Sequence, residues 1–147
     1  MNPLFYIIGI TALPAIELRG AIPVGIALGV PPLTAFIVAT LANIILILPI
    51  FYVLDTFFDF FRKYAWVDKI ITQVQNKTQK YVEKYGVIGL LLFVAIPLPG
   101  SGAYSGCLAA YIFNVNRKQS HLSIAGGVMV AGILVYLASL GFLTLFF

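Results

Sequence analysis

Pro14-Ala15-Ile16-Glu17-Leu18-Arg19-Gly20-Ala21-Ile22-Pro23 places an acid and a base inside a run that is otherwise apolar from Leu4 to Val30. Four residues unsuited to a helix interior surround the pair: Pro14, Gly20, Pro23 and Gly25. Proline removes a backbone donor, and glycine weakens a helix through its conformational freedom. At membrane depth, broken backbone and ionisable side chains are tolerated where they line a protein interior or a wet cavity. A second run, Val87 to Phe113, is interrupted without charge by Pro97-Leu98-Pro99-Gly100-Ser101-Gly102-Ala103-Tyr104-Ser105-Gly106. The two interruptions decide how the chain folds and are the first place to look for function.

Of 147 residues, 61% are hydrophobic and only 10% charged, a composition that belongs to integral membrane proteins. We read residues 1–147 as a single membrane domain. The first apolar run lacks a preceding basic region, so it reads as part of that domain and not as a removable signal. The single cysteine, Cys107, excludes an internal disulfide and a cysteine-based metal cluster, and reads as a small apolar residue packed in a helix. His121 is the only histidine and reads as an interfacial residue at the start of the last span. No metal site or cofactor is expected. Eight of the nine basic residues lie in two short polar segments, so the net charge of +4 marks membrane topology and not a nucleic-acid surface.

Leu33 to Leu54 is a clean stretch of about 33 Å as a helix, long enough to span. Its Asn43 and Pro49 are features that commonly face other helices. His121 to Phe147 can also span, and its Gly126, Gly127, Gly132 and Gly141 let another helix approach closely. The order of interrupted run, span, linker, interrupted run and span reads as a duplication: 1–54, a linker over 55–85, and 86–147. Pro14 followed by Gly20-Ala21 matches Pro97 followed by Gly102-Ala103 with a one-residue gap.

Arms of about 10 to 13 residues reach roughly 15 to 20 Å, about the bilayer midplane, so each interrupted run predicts a re-entrant hairpin. With hairpins, the linker and the loop holding Arg117 and Lys118 share one side of the membrane, and the positive-inside rule makes it cytoplasmic. Both termini then lie outside a plasma or inner membrane. The expected fold is an all-α integral membrane protein: an inverted repeat of re-entrant hairpin plus transmembrane helix, joined by an amphipathic interfacial helix. Basic and aromatic residues over Asp55–Tyr85, among them Phe57, Phe58, Phe60, Phe61, Tyr64 and Trp66, suggest a helix in the cytoplasmic headgroup layer.

Glu17 and Arg19 stand two apart and would not face each other on a regular helix. Pro14 and Gly20 predict unwound chain between them, where both side chains point into one cavity. Pro23 suits the first turn of the returning half-helix, whose free N–H groups favour an anion. Arg19 adds a permanent charge in a planar fork matched to phosphate, and Glu17 is the candidate proton carrier. In the second run Ser101 reads as an N-cap after Pro99-Gly100. Gly102 permits close backbone approach, while Ser101, Tyr104 and Ser105 supply hydroxyls. The candidate site is thus Glu17, Arg19, Gly20, Pro23, Ser101, Gly102, Tyr104 and Ser105, with Pro14, Pro97, Pro99 and Gly100 shaping the hairpin tips.

The stretch from Pro14 to Pro23 and the stretch from Pro97 to Gly106 resemble the small multi-drug export protein family, in length, order and both motifs. The resemblance covers essentially the whole chain and implies export of drugs. The pattern is similar, more distantly, to DedA-type membrane proteins, and that likeness implies paired re-entrant hairpins, movement of lipid phosphates and proton coupling. DedA-type motifs carry further charged residues, and the second run here has none. Taken together, the expected function is a transporter or flippase for an anionic amphiphile, a phospholipid or polyprenyl phosphate, coupled to protons. The alternatives are an exporter of lipophilic cations and a structural or assembly subunit of the membrane. No constellation of an enzyme stands out. The expected partners are membrane lipids, the amphiphilic substrate, protons and a second copy of the chain.

Overall fold

Proline sets three of the helix boundaries. A computed structural model describes the backbone of residues 2–98 and 100–146, and the side chains of all of these but Thr78, Tyr81 and Phe146. Among the described residues the chain is all-helical: α1 (Pro3–Thr11), α2 (Glu17–Ala27), α3 (Pro32–Phe61), α4 (Ala65–Ala95), α5 (Ala103–Ile112) and α6 (Arg117–Phe146). Asn2 accepts from the Leu4 N–H at 3.1 Å, and Pro3 opens α1; Pro32 likewise opens α3. Helix α4 stops at Ala95 because Ile96 precedes Pro97 and is held extended at ψ 118°.

Helices α2 and α5 close in the same way. Leu28 donates to Val24, Gly29 to Ile26 and Val30 to Gly25, at 2.9 to 3.0 Å. Phe113 donates to Ala109, Asn114 to Tyr111 and Val115 to Ala110, each 85 positions further on. Both closures turn through a left-handed residue, Gly29 at φ 85° and Asn114 at φ 55°, before the next helix begins at Pro32 or Arg117.

Helices α3 and α6 are long and apolar enough to cross a membrane. They run antiparallel: Phe36 meets Tyr136, Thr40 meets Gly132, Phe51 packs at a tilt on His121, and Asp55 pairs with Arg117. Their outer faces are apolar, with Leu41, Ile45 and Leu48 exposed on α3 and Met129, Ile133 and Leu137 on α6, as a lipid solvent requires. The short α1 and α2 fold back on one another, with Ile7 packed on Gly25, and α2 runs antiparallel to α3 from Gly25 beside Ala35 to Glu17 beside Asn43. Helix α5 returns along the second half of α4, with Val94 on Gly106 and Val115 against Gly86. Ile7, Leu18, Ile22, Ile47, Val94, Ile124 and Val128 fill the space between these layers, fully buried.

Two expectations need correction. The first break covers residues 12–16, so Gly20 and Pro23 lie within α2. Pro23 is the seventh residue of that helix, where its missing N–H leaves only the Arg19 carbonyl without an intrahelical partner. The linker is not a separate helix: Asp55–Phe61 completes α3, and α4 runs unbroken from Ala65 through Gly86 to Ala95. One glycine costs a helix only about 1 kcal/mol, and here Val82 and Val115 pack around Gly86. The α6 glycines do admit close helices, since Gly126 and Gly127 receive Leu91 and Val94 of α4 while Gly132 receives Phe36 and Thr40 of α3; Gly141 meets no described atom within 4 Å. Pro99, expected at the second tip, lies outside the described residues.

Candidate functional site

Glu17 opens α2 with a left-handed backbone, φ 49°, a conformation costing a non-glycine residue about 1 to 2 kcal/mol. Strong contacts hold it there. The residue is 2% exposed, and its carboxylate accepts from the backbone N–H groups of Ala103 at 3.0 Å and Tyr104 at 3.2 Å. Those are free donors of the first turn of α5. Asn43 Nδ2 donates to the same carboxylate at 3.3 Å and Arg19 Nη1 at 3.2 Å. An acid on α2 therefore caps a helix that starts 86 positions later.

Arg19 turns to the other side of the same break. Its Nη2 donates to the carbonyls of Val94 at 3.0 Å, Ile96 at 3.3 Å and Ser101. Val94 is among the last residues of α4, whose terminal carbonyls lack partners in their own helix. The acid thus sits at the positive end of α5 and the base at the negative end of α4, the arrangement the helix dipoles favour.

The 96–102 loop is shaped to admit this pair. Ser101 Oγ points back to the carbonyls of Ile96 and Leu98 and closes the loop. It is not the N-cap expected of it. Gly102 holds that position, and its N–H donates to Ser105 Oγ at 2.8 Å. A Cβ on Gly102 would overlap the Glu17 carboxylate, so glycine is needed there for close approach. Gly100 supplies the turn itself, at φ 83°. Tyr104 ties tip to tip, its hydroxyl donating to the Ala12 carbonyl at 2.7 Å.

Beside the knot, Pro14, Gly100, Tyr104 and Ser105 line an apolar cavity of about 520 Å³ together with Leu46 and Pro49 of α3. The structure therefore gathers Glu17, Arg19, Ser101, Gly102, Tyr104 and Ser105 in one place, with Pro14 and Gly100 on its apolar side. Gly20 faces Ile16, and Pro23 is exposed on the outside of α2. Cys107 is buried in α5. Asn43 is the residue that sequence reasoning placed only as facing another helix. Its one signal is a buried amide in the middle of a clean span, which needs a polar partner.

No curated protein and no solved structure matches the chain. The family model described as "putative small multi-drug export protein" matches residues 17–134, which begin at the acid of this knot, directly after the first break, and take in the second interruption and most of α6. On that match, over well more than half of its length, the chain belongs to the small multi-drug export protein family.

Proposed function

We propose that this chain is a membrane transporter for an anionic amphiphile, a phospholipid or polyprenyl phosphate, and that Glu17 couples its movement to protons. One observation carries the reading: the Glu17 carboxylate occupies the free N–H groups of Ala103 and Tyr104. A helix start suited to anions holds the protein's own anion. A substrate anion enters by displacing Glu17, with Arg19 beside it as a fixed positive charge. A protonated Glu17 is a weaker acceptor, so proton uptake and substrate entry favour each other. The cavity of about 520 Å³ beside the knot takes the apolar part.

Two further observations support this reading over a purely structural clasp. Arg19 Nε and Asn43 Oδ1 are buried with no hydrogen-bond partner among the described residues, so an entering head group finds unmatched polar atoms at the knot. The position of the knot also fits. Asn43, which donates to Glu17, lies about 16 Å along α3 from Pro32, close to the middle of a hydrocarbon core about 30 Å thick. That depth supports re-entrant hairpins, and the matched closures 85 positions apart with antiparallel α3 and α6 support an inverted repeat. We take the end holding Asp55 and Arg117 as cytoplasmic and both termini as outside. Two spans and two short hairpins give little wall for a sealed path, so the working unit is a homodimer.

The test is flux of a fluorescent phospholipid and a polyprenyl phosphate analogue in proteoliposomes, across pH, for wild type, Glu17→Gln and Arg19→Gln. We expect pH-dependent flux in the wild type, flux without pH dependence in Glu17→Gln and none in Arg19→Gln. Cation export spared or raised in Arg19→Gln would establish the cation exporter instead. A second reading, the clasp of a structural subunit, is favoured by the number of bonds the pair makes. It wins if both variants lower thermal stability and leave flux unchanged.

A further inference from the structure

At the basic end, α3, α4, α5 and α6 enclose a polar cavity of about 570 Å³ lined by Arg62, Arg117, Asp55, Tyr111 and Asn116 among others. Arg117 lies over the Phe51 ring at 4.2 Å and pairs with Asp55. Arg62 is held more loosely, 3.8 Å from Asp68, and its buried Nε has no hydrogen-bond partner among the described residues. Phe58 stacks on Tyr111 at 4.5 Å, bracing one wall. Two guanidinium groups thus share a cavity with one lining carboxylate, at the positive end of the long helix α6. Their planar forks match phosphate oxygens.

The cavity does not end in polar surroundings. Val115, on its wall, also lines an apolar slot of about 400 Å³ between α4 and α5, with Val82, Gly89, Phe93, Ala109 and Phe113. A smaller polar cavity of about 250 Å³ lies between the two, sharing Asn114 with the first and Val82 and Phe113 with the slot. The three cavities thus follow one another along shared walls, with Arg62 and Arg117 at the interface end, Glu83 on the middle one and apolar side chains toward the membrane interior. A soluble phosphate would use only the first part.

We propose that this series of cavities binds one phosphate-bearing lipid, its headgroup on Arg62 and Arg117 and an acyl chain in the slot between α4 and α5. The site lies about 18 Å along α3 from the Glu17 knot, from Asn43 to Asp55, and stands whether or not that knot transports.

The test is native mass spectrometry of the purified full chain with dioleoyl phosphatidate, with and without millimolar inorganic phosphate. Arg62→Gln removes a headgroup contact. Gly89→Leu fills the slot, and it does so without a clash at the backbone, since a Cβ there meets no atom within 4 Å. Each variant lowers retained phosphatidate about tenfold, equal to about 1.4 kcal/mol. Lys118→Gln, an exposed neighbour outside the cavity, leaves retention unchanged. Wild-type retention in Gly89→Leu overturns the slot and with it the lipid. Full displacement by the millimolar inorganic phosphate makes the site one for free phosphate, and equal losses in Arg62→Gln and Lys118→Gln reduce it to bulk charge.

Discussion

Gly102→Ala is the sharpest probe of the knot, because it alters no charge and strains no backbone. Gly102 is extended, at φ −110° and ψ −162°, where alanine is at ease. The added methyl nonetheless overlaps the Glu17 carboxylate, which must leave the N–H groups of Ala103 and Tyr104. A hydrogen bond to a charged group contributes about 1.5 to 3 kcal/mol, so two represent about 3 to 6 kcal/mol. The carboxylate keeps Arg19 and Asn43 within reach, which places the expected loss near the lower figure, about 3 kcal/mol. The assay is reversible unfolding in mixed micelles, followed by circular dichroism, for wild type, Gly102→Ala, Glu17→Ala and the double variant. With Glu17 truncated the methyl has room, and Gly102→Ala then costs no more than about 0.5 kcal/mol. The coupling energy is therefore about 3 kcal/mol. Equal costs in both backgrounds, or no cost in the wild type, would refute the cross-chain cap.

Arg19→Gln destabilises more than Glu17→Gln, by about 3 to 5 kcal/mol, because it strands a buried carboxylate and frees three carbonyls, while a glutamine at 17 still accepts from α5; thermal melts of the two variants check the order. Gly127→Leu prevents normal packing of α4 on α6, since a Cβ there comes within 2.8 Å of the Leu91 carbonyl, whereas Gly141→Leu is silent because nothing lies within 4 Å; size-exclusion profiles and melting temperatures separate them. Single-cysteine labelling in intact cells, in a Cys107→Ala background, reports Pro32→Cys outside and both Asn116→Cys and Asn76→Cys inside. Labelling of positions 32 and 116 from the same side would remove the hairpins.

The membrane class, the two clean spans and both interruptions are legible in the sequence because they depend on composition and on proline, which act locally. Ile96 is extended because Pro97 follows it, and no tertiary contact is needed to know that. The position of the first break is not legible. Gly20 and Pro23 weaken a helix without forbidding it, and α2 begins at Glu17 because donors on α3 and α5 hold that residue in a left-handed conformation. The continuity of α4 was hidden for a similar reason, since Gly86 reads as punctuation until Val82 and Val115 are seen around it. Asn43 and Gly102 acquire their roles only through contacts spanning 26 and 85 positions, which no local pattern encodes.

The two-residue spacing of the acid and the base, at odds with a regular helical pair, follows from what each one faces. The second break has two ends with opposite partial charges: the carbonyl end of α4 and the N–H end of α5. A pair meant for each other would favour a spacing of three or four. A pair meant to reach two ends of one loop has to diverge, and Glu17 at φ 49° points its carboxylate to α5 while Arg19, two residues into the helix, reaches across to α4. This accounts for the second run having no charge of its own. Its broken backbone is the counterion, and one acid and one base on the first run complete both interruptions. The 3.2 Å bond between Glu17 and Arg19 couples the two contacts, and Glu17 can leave α5 while Arg19 stays on the carbonyls of α4.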